Sequence, residues 1–299
     1  MSFQTNNQKF EDYFSKLYQQ RWPQIREALT HKERQVLRVN KFVKNVDVSG
    51  LEPCEFLENC YWRPEAYSLQ KNAEGLYNFY VLDPASVFVA KALQAEDGER
   101  VLDMCAAPGG KSLIIAEMMS QGAHSHQSEL ISNEVSEGRR ERLMRVFHEY
   151  IPRESRETIF VKGLDGNQYG LRMPNHFNRV LADVPCSGER HLLENLKEFE
   201  LWSEKRTKNL AVRQYSLLSS AWLSTIVGGR IVYSTCSISY EENDAVISKL
   251  VKKRKPKILR IAEYEQHSFI EKTEFGYQIL PDKSQFGPMY FSVIEKQQI

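Results

Sequence analysis

Two cysteines in the chain stand where side-chain chemistry is expected. Asp183-Val184-Pro185-Cys186-Ser187 and Ser234-Thr235-Cys236-Ser237 each close a short apolar run. A thiolate is the strong nucleophile among side chains. Two cysteines at the ends of consecutive parallel strands would lie on one edge of a sheet and share one cleft. Asp183, just ahead of Cys186, is placed to hydrogen-bond a ring nitrogen of a substrate. The bland alternative is two buried thiols and a turn-capping aspartate. Three such residues in register, beyond a glycine-rich loop, weigh against it.

That loop is Asp103-Met104-Cys105-Ala106-Ala107-Pro108-Gly109-Gly110-Lys111-Ser112. Its glycines let backbone approach a ligand and open a helix. A GxxxxGK[ST] phosphate loop would need glycine where Cys105 stands, and no GxGxxG run is present. A ligand with a nucleoside but no phosphate fits better. Glu134 ends the next apolar run, where an acid can hold ribose hydroxyls; a solvated glutamate is the plainer alternative. Asp165, in KGLDG, follows the third run and reads equally as a turn aspartate before Gly166.

These residues need a scaffold that brings strand ends together. From about residue 98 the chain alternates apolar runs with helical stretches. Strands are expected at Arg100–Cys105, Glu129–Val135, Thr158–Lys162, Asn178–Val184 and Arg230–Thr235. Helices are expected at Lys111–Gln121, Glu137–Tyr150, Thr207–Ile226 and Glu241–Lys252, and short strands near Tyr277–Leu280 and Met289–Ile294. Such alternation predicts an α/β fold with a mostly parallel central sheet flanked by helices, whose ligands sit beyond the carboxyl ends of the strands. Upstream, Phe10, Tyr13, Phe14 and Leu17 recur at helical spacing within 8–29, and Pro23 should break or restart that helix. Residues 30–75 are mixed and punctuated by Gly50, Pro53 and Pro64. The expected division is a small α+β extension over 1–75 and one larger domain over 76–299.

Composition narrows the class of protein. A 41% hydrophobic fraction supports a sizeable core, and 26% charged residues is near the globular norm. No apolar run is long enough for a membrane helix. The 40 basic and 39 acidic residues leave a net charge of +1, so any nucleic-acid surface must be a local patch. Five cysteines without a CxxC pair suggest neither a disulfide framework nor a zinc site. Cys54 and Cys60 read as buried thiols. The opening MSFQTNNQKFEDYF has neither a secretory pattern nor an Arg-rich, acid-poor transit pattern. A cytoplasmic protein is therefore expected, with the mitochondrial matrix as the alternative.

DMCAAPGGKS, DVPCSG and YSTCS, in this order and spacing, resemble three motifs of the Sun-domain RNA (cytosine-5) methyltransferases. Leu37–Asn40 (LRVN) and Phe79-Tyr80…Asp83-Pro84-Ala85-Ser86 are similar to that family's upstream segments. FGPMYF (Phe286–Phe291) resembles the short members near the mitochondrial ribosomal-RNA enzyme. The resemblance implies a class I, Rossmann-like methyltransferase fold with S-adenosyl-L-methionine as cofactor and no metal. It implies that Cys105, Ala106, Ala107, Pro108, Gly109, Gly110 and Lys111 wrap the methionine end of the cofactor. Glu134 would take the ribose, Arg139 matches a basic position on the following helix, Asp165 would sit by the adenine, and Asp183 would touch cofactor and target base. Cys236 would be the nucleophile, and Cys186 would assist product release.

The implied chemistry accounts for these groups. C5 of cytosine is a poor nucleophile, and thiolate addition at C6 makes it enamine-like. Asp183, acting as an acid at N3, would stabilise the charge that develops. Cys186 or a water would remove the C5 proton before Cys236 departs. The target base must be unpaired or flipped. The expected substrate is ribosomal RNA, with transfer RNA as the alternative. A ribosome-assembly RNA-binding factor with a vestigial site is the rival of a different class. Exchanged roles for the two cysteines remain a further alternative. Short members of the family often bind RNA with help from a partner or the ribosome, and a monomer is the family expectation. Arg190 and His191 are candidates for the target loop. Arg140, Arg142 and Arg145, and the cluster from Lys252 to Lys257, read as solvated faces or phosphate contacts. Tyr61, Trp62 and Trp202 read as core.

Overall fold

The computed structural model describes residues 6–120 and 122–298. The first five residues, MSFQT, and Gln121, the expected end of one helix, lie outside the described residues.

The chain opens with α1 (Asn6–Tyr18), a 3₁₀ turn, and α2 (Trp22–Ala28), whose first turn contains Pro23. Proline lacks an N–H and suits a helix start, and of the two expected outcomes, break or restart, it restarts the helix. Phe10 and Phe14 are fully buried, while Leu17 is exposed. β1 (Val36–Val39), β2 (Cys60–Trp62) and β3 (Phe79–Leu82) form a small antiparallel sheet in the order β2-β1-β3. The boundary expected at residue 75 falls inside this unit, because β3 follows it in sequence yet pairs with β1. Nor does the small sheet have its own core. Val36, Cys60 and Trp62 belong to one apolar cluster with Phe88, Ile115 and Phe286.

α3 (Pro84–Ala92) is capped by the Asp83 carboxylate, which accepts from the Ala85 N–H. The main sheet follows. It contains β4 (Arg100–Asp103), β5 (Glu129–Asn133) and β6 (Ile159–Lys162), with α4 (Gly110–Met119) and α5 (Glu137–Tyr150) between them. After α6 (Tyr169–Arg172) comes β7 (Phe177–Asp183), then α7 (Glu189–Glu194), α8 (Leu196–Phe199) and α9 (Glu204–Ser224). β8 (Thr225–Thr235), α10 (Asp244–Arg254), β9 (Lys257–Leu259), β10 (Ile270–Lys272), β11 (Tyr277–Ile279), α11 (Pro281–Ser284) and β12 (Met289–Glu295) complete it.

β8, β7, β4, β5 and β6 lie side by side and parallel; β12, β11 and β10 extend the β8 edge antiparallel, and β9 also pairs with β12. Strand order reverses at β4, which has β5 on one side and β7 on the other. Such a switch point opens a crevice at the carboxyl ends of its strands. Successive side chains face opposite layers. Val101, Leu181 and Val232 pack towards α3, α4 and α5, whereas Leu102, Val180 and Tyr233 pack towards α6, α9 and α10. No helix among the described residues is long and apolar enough to cross a membrane.

One strand is longer than expected. α9 stops at Ser224, and the β-branched run Thr225-Ile226-Val227 already belongs to β8. Thr225 pairs with Phe177, and the register then shifts because β8 has extra residues before Arg230 pairs with Arg179. β-branched side chains prefer the pleated surface to a helix end.

Candidate active site

The glycine-rich loop leaves β4 at the switch point. Gly109 has φ +120°, a conformation that L side chains rarely adopt. A Cβ on Gly110 would come within 2.8 Å of the Tyr80 ring. Asn133, at the end of β5, holds the crevice floor. Its amide donates to the carbonyls of Met104 and Leu164 at 3.0 and 2.9 Å, and its side-chain oxygen accepts from the Leu164 N–H and the Tyr169 hydroxyl. Arg139 braces the loop from α5, donating to the Ala107 carbonyl at 2.8 Å and reaching Glu134 at 3.4 Å.

Glu134 is buried. One oxygen accepts from the Ser136 N–H at 2.9 Å, while Oε2 has no hydrogen bond among the described residues and only the long contact to Arg139. A buried acceptor left open at a strand end suits a diol. Asp165 is exposed and caps the turn after it, accepting from the N–H and amide of Asn167 at 3.0 Å. Its turn role is thus present in the structure, whatever else it touches.

A cleft of ≈ 530 Å³ opens over these strand ends. Cys105, Lys111, Asp183, Cys186 and Cys236 all line it. Asp183 lies opposite Ser234 in the sheet, and the Ser234 hydroxyl donates to its Oδ1 at 2.6 Å. Lys111 Nζ meets the other oxygen at 2.8 Å. Burial acts to lower the Lys111 ammonium, but Asp183 and then Asp103 outweigh it, and the net shift is upward. Cys186 and Cys236 converge, with their sulfurs 2.7 Å apart. The Cys236 N–H donates to Cys186 Sγ at 3.3 Å. Cys236 is the exposed member of the pair. The Cys186 thiol is pushed well above its ordinary range, first by its hydrogen bond with Cys236 and then by burial. An accessible thiol, a second thiol that holds its proton, a carboxylate and an ammonium therefore meet in one cleft. That set can add a nucleophile to a ring, offset the charge that develops and handle a proton.

Arg190 departs from the expected target loop. Although it lines the cleft, its guanidinium donates to the carbonyls of His31 at 2.5 Å and Phe286 at 3.3 Å. It ties the Cys186 loop to the segments after α2 and before β12, and a cation engaged in this way is not free to reach for phosphate. His191 is exposed and pairs with Glu198 at 3.5 Å. Arg140 is occupied by the carbonyls of Glu134 and Val135, whereas Arg142 and Arg145 are exposed. Lys252, Lys253 and Arg254 fill the last turn of α10, where they complement the helix dipole. Trp62, Trp202, Cys54 and Cys60 are buried, as expected; Tyr61 is half-buried.

The structure also brings in residues that carry no motif. Glu189 and Glu242 are wholly buried beneath the two cysteine loops. Ser187 and Ser237, each next to a cysteine, bridge them. Glu189 is visible in sequence only as part of an ordinary GERH stretch, and Glu242 as one acid in YEEN.

Comparison with known proteins gives a consistent picture. A family model described as 16S rRNA methyltransferase RsmB/F matches residues 90–295. The 5-cytosine rRNA methyltransferase NSUN4 of Bos taurus is 34% identical over 233 residues, covering 73% of this chain and 59% of the relative. The mitochondrial tRNA (cytosine(34)-C(5))-methyltransferase of Danio rerio is 33% identical over 254 residues, covering 79% and 66%. The chain thus spans about two thirds or less of the length of these relatives. Among solved structures, a methyltransferase homologue from Pyrococcus horikoshii matches the fold with a TM-score of 0.77 at 22% identity, over 96% of this chain and 94% of that one.

Proposed function

The chain belongs to the 16S rRNA methyltransferase RsmB/F family, and from that membership we propose that it is an S-adenosyl-L-methionine-dependent RNA (cytosine-5) methyltransferase acting on ribosomal RNA. The observation that carries the reading is the convergence of Cys186, Cys236 and Asp183 with the Cys105–Lys111 loop in one cleft. The rRNA relative favours ribosomal RNA. The tRNA relative is similar to nearly the same degree and keeps transfer RNA as the second reading. A vestigial site would not be expected to keep both thiols, the carboxylate and the loop assembled together. For compartment, the Danio rerio relative is mitochondrial by name, which supports the matrix alternative; the expected cytoplasmic placement gains no such support.

The cofactor, when bound, supplies an electrophilic methyl group. The residues present fit it. Glu134 would hold the ribose with its open buried oxygen, the Cys105–Lys111 backbone would hold the methionine end, and Arg139, which contacts both Glu134 and Ala107, would steady the two. Asp165 would stand by the adenine and Asp183 between cofactor and base. Cys236, exposed in the cleft, adds to C6 of the target cytosine. Asp183, in its protonated form, donates a hydrogen bond to N3, and the Lys111 ammonium beside it opposes the negative charge that develops on the ring. Once Cys236 is bound to C6 it no longer holds the Cys186 proton in place; Cys186 can then release that proton to solvent and, directly or through water, help remove the C5 proton so that Cys236 can leave.

The test is methyl transfer read by nucleoside mass spectrometry. Purified protein and S-adenosyl-L-methionine are offered unmodified ribosomal subunits and, separately, transfer RNA. New 5-methylcytidine in the ribosomal pool is the expected result. Product only in transfer RNA would exchange the substrate, and absence of both product and cofactor binding would favour an RNA-binding assembly factor.

A further inference from the structure

Beneath the two cysteines lies a polar cluster that the proposed chemistry does not use. Glu189 begins α7, just after the Cys186 loop, and Glu242 lies in the segment between Cys236 and α10. Both carboxyl groups are wholly buried. Ser187 Oγ contacts Glu189 Oε1, Glu242 Oε1 at 2.5 Å and Ser237 Oγ at 3.1 Å. Ser237 Oγ contacts Glu189 Oε1 at 3.0 Å and Glu242 Oε1 at 3.3 Å. The outer oxygens are satisfied separately. Glu189 Oε2 accepts from the Ile238 N–H at 2.9 Å, and Glu242 Oε2 accepts from the Ser187 N–H at 3.0 Å and the Gln214 amide at 2.7 Å.

Counting protons argues against two ionised acids in this cluster. Four oxygens make five mutual contacts at hydrogen-bond distance. If both acids were ionised, only the two serine hydroxyls would supply protons, and the other contacts would set lone pair against lone pair. Two bare carboxylates would also share an interior in which no cation among the described residues pairs with them. The other titratable groups facing the pair are Cys186 on its own loop, Tyr233 on β8, and Tyr13 and Tyr18 on α1. None of them carries positive charge. Like charges held this close do not both ionise.

We propose that Glu189 and Glu242 share one proton and act as positioning residues, a carboxyl–carboxylate latch that fixes the Cys186 loop against the Cys236 loop. Each acid bonds to the opposite loop: Glu189 to Ser237 and Ile238, Glu242 to Ser187. The latch therefore sets the approach of one sulfur to the other. The tendency of Glu189 agrees: burial, then Glu242, pushes its carboxyl up to about 7. Loss of the shared proton puts two negative charges under the cysteine loops and loosens them.

The inference depends on the proposed methyl transfer only for its kinetic readout, so its first test needs no RNA. Thermal unfolding of the full chain is followed from about pH 6 to about pH 8.5 for wild type and Glu189→Gln. A glutamine reproduces the protonated acid: its oxygen accepts from Ile238 and its amide donates into the cluster. Wild type is expected to lose melting temperature more steeply with rising pH than the variant. The difference between the curves removes Asp83 and Asp103, which titrate in the same window. Parallel curves would overturn the proposal. In methyl transfer, Glu189→Ala is expected to lower kcat about 10–100-fold while KM for S-adenosyl-L-methionine changes less than about threefold, because the loops are misplaced and the cofactor cradle is not. Glu189→Gln should restore most of that loss near neutral pH and flatten the alkaline fall. A glutamine variant as impaired as the alanine variant would overturn the shared proton. A wild-type protein that methylates no RNA would sink the methyl-transfer reading and leave the unfolding comparison intact.

Discussion

Lys111 and Asp183 meet at 2.8 Å across the ends of neighbouring strands, joining the glycine-rich loop to the segment that carries Cys186. The first is set by the start of α4, the second by β7. Their pairing makes cofactor loop and base-handling carboxylate one electrostatic unit. Replacing Lys111 by Met leaves a largely desolvated carboxylate without its partner, and should cost about 2–3 kcal/mol of stability. Methyl transfer should fall roughly 100-fold, since the cation opposing ring charge is lost. Denaturant unfolding and steady-state kinetics on Lys111→Met, Asp183→Asn and the double variant measure the coupling. If the single effects simply add, the two residues do not act as a unit.

The convergence of the two sulfurs makes a sharp prediction about covalent chemistry. Cys236→Ala should form no adduct with substrate RNA. Cys186→Ala should add to the base, transfer the methyl group and then stall, so that a covalent protein–RNA species accumulates and survives a denaturing gel. The reverse pattern would assign the nucleophile to Cys186.

Glu134 offers a buried, open oxygen, and its loss should be felt in cofactor binding. Glu134→Ala removes an acceptor and also frees Arg139 from one of its contacts. Calorimetric titration with S-adenosyl-L-methionine should show affinity reduced roughly 10–100-fold. Near-wild-type affinity would move the ribose elsewhere in the cleft.

The strand ends were legible in the sequence because three close an apolar run on an acid, a type that strands otherwise avoid (Asp103, Glu134, Asp183), and the fourth closes on the Ser-Thr-Cys-Ser segment that carries Cys236. Parallel topology then obliges them to gather. Other features had no such signal. β3 was hidden because Phe79–Leu82 reads as one more apolar run, and its partner β1 lies some forty residues upstream. Arg190 looked available because local sequence shows charge but not the distant carbonyls of His31 and Phe286 that occupy it. Glu189 and Glu242 look like surface acids by type. Their burial depends on Ser187, Ser237 and Gln214 arriving from three different elements, a coincidence of tertiary structure with no local period.

Asp103, at the end of β4, gives a pH prediction with a definite sign. Its Oδ2 accepts from Ser112 at 2.6 Å, while the buried Oδ1 has only the Cys105 backbone beside it among the described residues. Burial pushes its carboxyl from an ordinary 3.8 up to about 7, against the Ser112 hydrogen bond. A group that binds its proton more tightly when folded stabilises the fold fully below its unfolded value. That contribution is lost as pH rises through the folded one. The protein should therefore lose about 2–4 kcal/mol from this residue between about pH 4 and pH 8. Asp103→Asn keeps the acceptor for Ser112 and cannot ionise, so its stability should fall less over the same range. Chemical denaturation of both proteins at several pH values checks this. Equal pH dependence would mean that Asp103 remains ionised in the folded protein, with Lys111 rather than a proton balancing its charge.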